Sequence, residues 1–233
     1  MRQHPRRIKA LIIIALSMFC GISMHTTPSH AQMQELLNVS FVLNKTGEII
    51  ILPWFEVNGV SLSQPSGKQT MQTVSKDNKI IDEFKFTPDF RVLFEPTGIE
   101  EFDEAFIVAE LPFDSSIDRI VYRNESGRIV FSVDPLRKMP KDYIETILEA
   151  CPVEKTKSDQ IVNLSKKVDE NFENNSLSKS TIENYENIIE KISAFESGQC
   201  QFGGTPFASV PDFVNAFGSL VEKLKIREGL DPP

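Results

Sequence analysis

Three histidines (His4, His25 and His30), the cysteines Cys151 and Cys200, and a crowd of carboxylates around position 100 are the residues with which this chain could do chemistry. All three imidazoles fall in the first 31 residues. That stretch begins with Arg2, Arg6, Arg7 and Lys9 and carries no acid. It continues through an apolar run over 10–22 and closes on Ser29-His30-Ala31. A basic start, a short apolar centre and a small-x-small ending describe a secretory signal peptide over residues 1–31, with cleavage expected after Ala31. The apolar run is well short of the roughly 20 residues that span a bilayer, so the mature protein is not expected to be membrane-embedded. Phe19 before Cys20 stands where a lipid-attachment motif needs a small residue.

Cleavage would leave a chain with no histidine. The usual general base near neutral pH, Ser-His and Cys-His nucleophile pairs, and imidazole metal sites would then be closed to it. Any catalysis would fall to carboxylates, Lys or Tyr. The leader also takes four of the 25 basic residues, leaving 21 against 33 acids, a net charge of −12. A surface that acidic repels phosphate backbones and anionic lipids, so no nucleic-acid partner is expected. No glycine-rich phosphate loop or internal repeat is visible, and no cofactor is expected.

Cys151 and Cys200 are the cysteines left after the leader, and an exported chain with two thiols pairs them. Glu100, Glu101, Asp103 and Glu104, with Glu95 nearby, are the oxygen-rich candidates for a calcium ion. Their spacing lacks the Asp/Asn alternation with Gly of a calcium loop, and a solvated acidic connector is the preferred reading. Asn-x-Ser/Thr occurs at Asn38, Asn44, Asn124, Asn163 and Asn174 and is read as chance.

These residues must be held by two kinds of element. From 35 to 135 the text alternates with period two: Val39, Phe41 and Leu43; Ile49, Ile51 and Phe55; Phe90, Val92 and Phe94; Ile129, Phe131 and Val133. Pro53 interrupts one run and favours an edge or bulge there. Residues 61–73 read as a long polar loop leading to a weak strand near 69–74. Residues 80–86 and 90–95 read as a strand pair, and 96–104 as an acidic connector. Residues 105–111, 117–123 and 128–133 follow as three successive strands, the last two joined by Asn124–Gly127 with Gly127 supplying a positive φ. Short strands with turn signals every 8–12 residues predict an Ig-like antiparallel β-sandwich over 35–135. Trp54 is expected in its core.

After a hinge-like segment at 135–140 the period becomes helical. Residues 140–226 are expected to form a small helical domain around an antiparallel hairpin, one arm near 158–172 and the other opened by a Ser180/Glu183 capping box. The outer ends of equal arms meet, which places Cys151 beside Cys200. A last helix, opened by Ser209, carries Phe213, Val214, Phe217, Leu220, Val221 and Leu224 along one stripe. Packing within the protein is the preferred reading of that stripe, and a partner-docking helix is the alternative. Residues 227–233 are expected to fray. The fold class is therefore α+β in β-then-α order, with a disulfide-tied helical module.

These features favour an exported, non-enzymatic binding or assembly protein whose partner is an envelope protein or glycan. A carboxylate-dependent glycan hydrolase is the alternative, requiring two acids about 5–9 Å apart in a cleft. The passage from Phe86-Thr87-Pro88 to Phe94-Glu95-Pro96 is similar to the strand passage of the pilus-chaperone N-terminal domain. That resemblance implies a chaperone-like sandwich, and the chain departs from the family where a second β-domain would follow.

Overall fold

The computed structural model describes residues 33–60, 66–94, 98–173, 178–203 and 205–230. The expected leader lies outside them, as do the sequon at Asn174 and Glu95-Pro96 of the chaperone-like passage. The chain runs β first, then α.

Strand β1 (Gln34–Asn44) is the centre of the first sheet. Its run of Leu36, Leu37, Val39, Phe41, Val42 and Leu43 is buried almost throughout, as a strand with neighbours on both sides requires. β8 (Glu104–Pro112) pairs along one side from Leu36 to Asn44. β2 (Ile49–Ile51) and β3 (Phe55–Gly59) share the other side, both antiparallel to β1. Pro53 is the reason they are two strands and not one, and it sits on an edge as a proline must. Ser40 ties the break: its hydroxyl donates to the Pro53 carbonyl at 3.0 Å, and its own carbonyl accepts from Leu52 N–H at 3.0 Å.

The second sheet has the order β10 (Ile129–Val133), β9 (Ile117–Arg123), β4 (Gln69–Ser75), β5 (Ile80–Phe86), all antiparallel. The sheets meet face to face through Phe41, whose ring lies 5.2 Å from Tyr122, 5.7 Å from Phe131 and 6.2 Å from Phe86.

Several expectations change here. Residues 69–75 are not a weak strand but an inner one, with Met71, Gln72, Thr73 and Val74 buried between two neighbours. Residues 80–86 do not pair with those that follow. β6 (Arg91–Phe94) instead pairs with β7 (Gly98–Glu101) as a separate hairpin, so part of the acidic connector is a strand. The three successive strands are present, the last two paired across the Asn124–Gly127 turn, and they divide between the sheets: β8 joins the first, while β9 and β10 join the second. A bulge between Ile129 and Phe131 sets Phe131 opposite Tyr122 but Ile129 opposite Arg123. Ile129 thereby leaves the face of Phe131 and Val133 and is 48% exposed.

The segment 135–140 is not a hinge. It opens helix α1 (Pro135–Ala150), with Asp134 accepting from Leu136 N–H and Pro135 at the first position, where a missing N–H costs nothing. Helices α2 (Lys155–Glu173) and α3 (Lys179–Ser193) form the expected hairpin, burying Ile161 and Val168 against Ile182, Tyr185, Ile188 and Ile192. The box that opens α3 is Ser178 with Thr181, two residues before the expected pair. Cys151 and Cys200 are bonded, and Gln201 N–H donates to the Ala150 carbonyl at 2.8 Å beside them. Helix α4 (Val210–Glu228) is capped by Ser209, which accepts from Asp212 N–H at 3.2 Å. The start of the expected frayed tail is held: Arg227 bonds Asp134 at 2.7 Å, and Gly229 closes the helix at φ +66°. Residues 231–233 lie outside the described residues. No helix among the described residues is long and apolar enough to cross a membrane.

Candidate functional site

Polar chemistry gathers at two opposite ends of the sandwich. At the end that meets the helices, the break at Pro53 frees the Trp54 N–H from the sheet ladder. The carboxylate of Asp142 on α1 accepts that N–H at 2.9 Å. Lys138, one turn earlier, pairs with the same carboxylate and lies over the Trp54 ring at 5.2 Å. The indole is fully buried, 6.2 Å from Phe131, and so closes this side of the sandwich. Burial pushes the Asp142 carboxyl above its ordinary range, against the pull of Lys138 and the Trp54 N–H.

Beside it, Phe55 turns away from Trp54 into the helical aromatics, 5.6 Å from Tyr143 and 5.4 Å from Phe207. The Glu56 N–H donates to the Tyr143 hydroxyl at 3.3 Å. Lys223 of α4 reaches Glu56 at 3.2 Å, Glu35 at 3.1 Å and the Ser219 hydroxyl at 3.0 Å. Oε1 of Glu56 is buried without a hydrogen-bond partner, and burial raises this carboxyl despite Lys223. These acids are held by lysines inside a packed junction. Their chemistry is to join the β and α parts.

The other end is open. The β1–β2 turn, the segment after β5 and the β9–β10 turn surround a cavity of about 230 Å³. Leu43, Ile49, Phe90 and Val130 form its apolar wall. Gln69, Thr87, Tyr122 and Asn124 supply neutral polar groups, and Lys45 and Glu125 also line it. The Tyr122 hydroxyl donates to Gln69 Oε1, and burial pushes its pKa up to about 12, so it stays protonated. Asn124 Oδ1 accepts from the Arg128 N–H at 3.0 Å and from the Ser126 hydroxyl at 2.7 Å. Gly127 turns that loop at φ +76°, as the Asn-Glu-Ser-Gly sequence requires. A second cavity, about 380 Å³, lies beside the disulfide and is lined by Leu148, Cys151, Gln199 and Gln201.

Of the acidic calcium candidates, Glu101 and Asp103 lie 2.8 and 3.7 Å from Lys45, whose ammonium occupies the place a cation would take. Glu100 and Glu104 lie on β7 and β8. Among the described residues no three His, Cys, Asp or Glu side chains form a group that could hold a metal ion. The docking alternative for α4 is corrected: Phe213, Phe217, Leu220, Val221 and Leu224 are all at most 2% exposed. Phe213 and Phe217 pack on Tyr143 at 5.5 and 5.6 Å, which leaves this stripe no face for a partner. Val214 is partly buried against the same core. Trp54, expected in the core, is fully buried.

The periodicity that located the strands gave no hint of the loop-end cleft, because its walls come from four separate turns and strand ends. No protein-family model matches the chain, and comparison with curated proteins and with solved structures yields no match.

Proposed function

We propose that the protein is an exported, non-enzymatic binding or assembly module of the cell envelope or extracellular space. The observation that carries this reading is the contrast in how the fold spends its polar groups. The buried carboxylates of Asp142 and Glu56 are taken by Lys138 and Lys223 inside the junction. The open cleft is walled by apolar and neutral side chains, and its single carboxylate is Glu125. That pattern suits holding a ligand and lacks the paired acids of carboxylate hydrolysis. The leader-like start of the chain supports export, and the single disulfide suits an oxidising compartment.

The test is co-sedimentation of residues 32–233 with isolated envelope and with purified envelope glycan, while the supernatant is assayed for released fragments. Saturable retention without fragments is expected. Fragments, or retention that never saturates, contradict the proposal.

A further inference from the structure

The charges at the loop-end cleft are solvent-exposed. Lys45 is held by Glu101 at 2.8 Å, and Glu125, 54% exposed, has Lys68 3.9 Å away. A phosphate or free carboxylate would find the lining cation already paired, and an amine would meet only a solvated carboxylate, where an ion pair adds little. The neutral groups are used on one side only. Gln69 spends Oε1 on Tyr122 and Asn124 spends Oδ1 on its own turn, while Gln69 Nε2 and Asn124 Nδ2 carry no hydrogen bond to any described residue. Thr87 Oγ1 accepts from Lys68 N–H at 3.4 Å, which leaves its O–H to donate.

The cleft thus offers amide and hydroxyl donors on one side and an apolar wall on the other. A purely apolar occupant would strand the donors, at a cost of about 1–3 kcal/mol for each one buried unpaired. At about 230 Å³ the space falls below the roughly 300–1,000 Å³ that enclose drug-sized ligands, so it takes one ring. The occupant that meets these conditions is neutral, carries several oxygen acceptors on a ring and has an apolar C–H face. We infer that the cleft is a binding site for a single neutral pyranose residue, as presented at the end of a glycan, with Gln69 and Asn124 donating to its oxygens. This rests on the binding function proposed above and names its ligand class.

The test is a titration of isotope-labelled residues 32–233 with neutral methyl pyranosides, followed by amide chemical shifts. The same titration is run with an acetylated dipeptide amide. Shifts confined to 44–49, 69–70, 87–90 and 122–130 are expected with at least one sugar and not with the peptide. The variants Gln69→Glu and Asn124→Asp keep the oxygens that accept from Tyr122 and Arg128 while removing the amide donors. Each should weaken sugar binding about three- to tenfold with an unchanged unfolding midpoint. Amides that no neutral sugar moves, or an equal response to the peptide, overturn the assignment. Saturable envelope retention with these loops unperturbed removes the sugar site but leaves the binding reading standing. Loss of retention as well removes both.

Discussion

The two ends of the sandwich solve opposite problems with similar residues. At the helix end, Pro53 breaks an edge strand; Asp142 of α1 answers the freed N–H, Lys138 of α1 and Lys223 of α4 pair with Asp142 and Glu56, and one oxygen of Glu56 stays without a partner. At the loop end, Asn124 and Gln69 spend their amide oxygens on neighbouring donors, and their amide nitrogens have no hydrogen bond to any described residue where they line the cleft. Polar groups that are buried and paired fix architecture, whereas polar groups that are neutral, half-used and open are available to a ligand. Burial alone would not have told the two apart, and the partner of each polar atom does.

The helix end is where this contrast breaks most visibly. Asp142→Ala leaves half-buried Lys138 without its carboxylate and the Trp54 N–H unanswered, and should cost about 3 kcal/mol, the lower end for one partner lost from a buried pair. Urea unfolding measures it. Removing the disulfide as Cys151→Ser with Cys200→Ser frees a sequence separation of 49 residues and should cost up to about 4 kcal/mol in the chain-entropy picture. Proteolysis of α2 and α3 ahead of the strands would mark that loss as local to the helical hairpin.

A pH series sharpens the comparison further. Glu56 and Asp142 have raised folded-state pKa values, so the native state binds their protons more readily than the unfolded chain does. Their contribution therefore improves as pH falls from neutrality through those raised values toward about 4.5 and 3.8, the ordinary values, and is lost again as pH rises. Half-buried Glu83 and exposed Asp89 and Glu101 are lowered by their partners and act in the opposite sense below the same range. Glu56→Gln should flatten the acid-side gain without abolishing folding, as read from thermal midpoints between pH 7 and 5. The smallest effect is expected at the cleft: Val130→Ser, at a position 40% exposed, should move stability by no more than about 0.5 kcal/mol.

Much of the helix end was legible because its signals are local. Pro53 announced the broken edge, the stripe from Phe213 to Leu224 announced a packed helix, and the antiparallel hairpin brought Cys151 to Cys200. What escaped depends on pairing between distant segments. Period two cannot tell that Glu104–Pro112 crosses to the other sheet, since alternation says which residues share a face and not which strand lies alongside. One bulged residue, Val130, was enough to turn Ile129 outward. Asp134 and Pro135 looked like a hinge because proline and charge mark both linkers and helix starts; the Asp134 side chain accepting from Leu136 N–H decides for the latter. The cleft was invisible for the same reason as the crossover, its walls being assembled from turns far apart in sequence.

Calorimetric titration of purified envelope glycan into the native chain and into the Gln69→Glu, Asn124→Asp double variant, with product analysis of both mixtures, puts the central claim at most direct risk. A saturable heat that the double variant loses is expected, with no cleavage products in either cell. Equal heats for the two proteins, or new reducing ends in the native mixture, would contradict it.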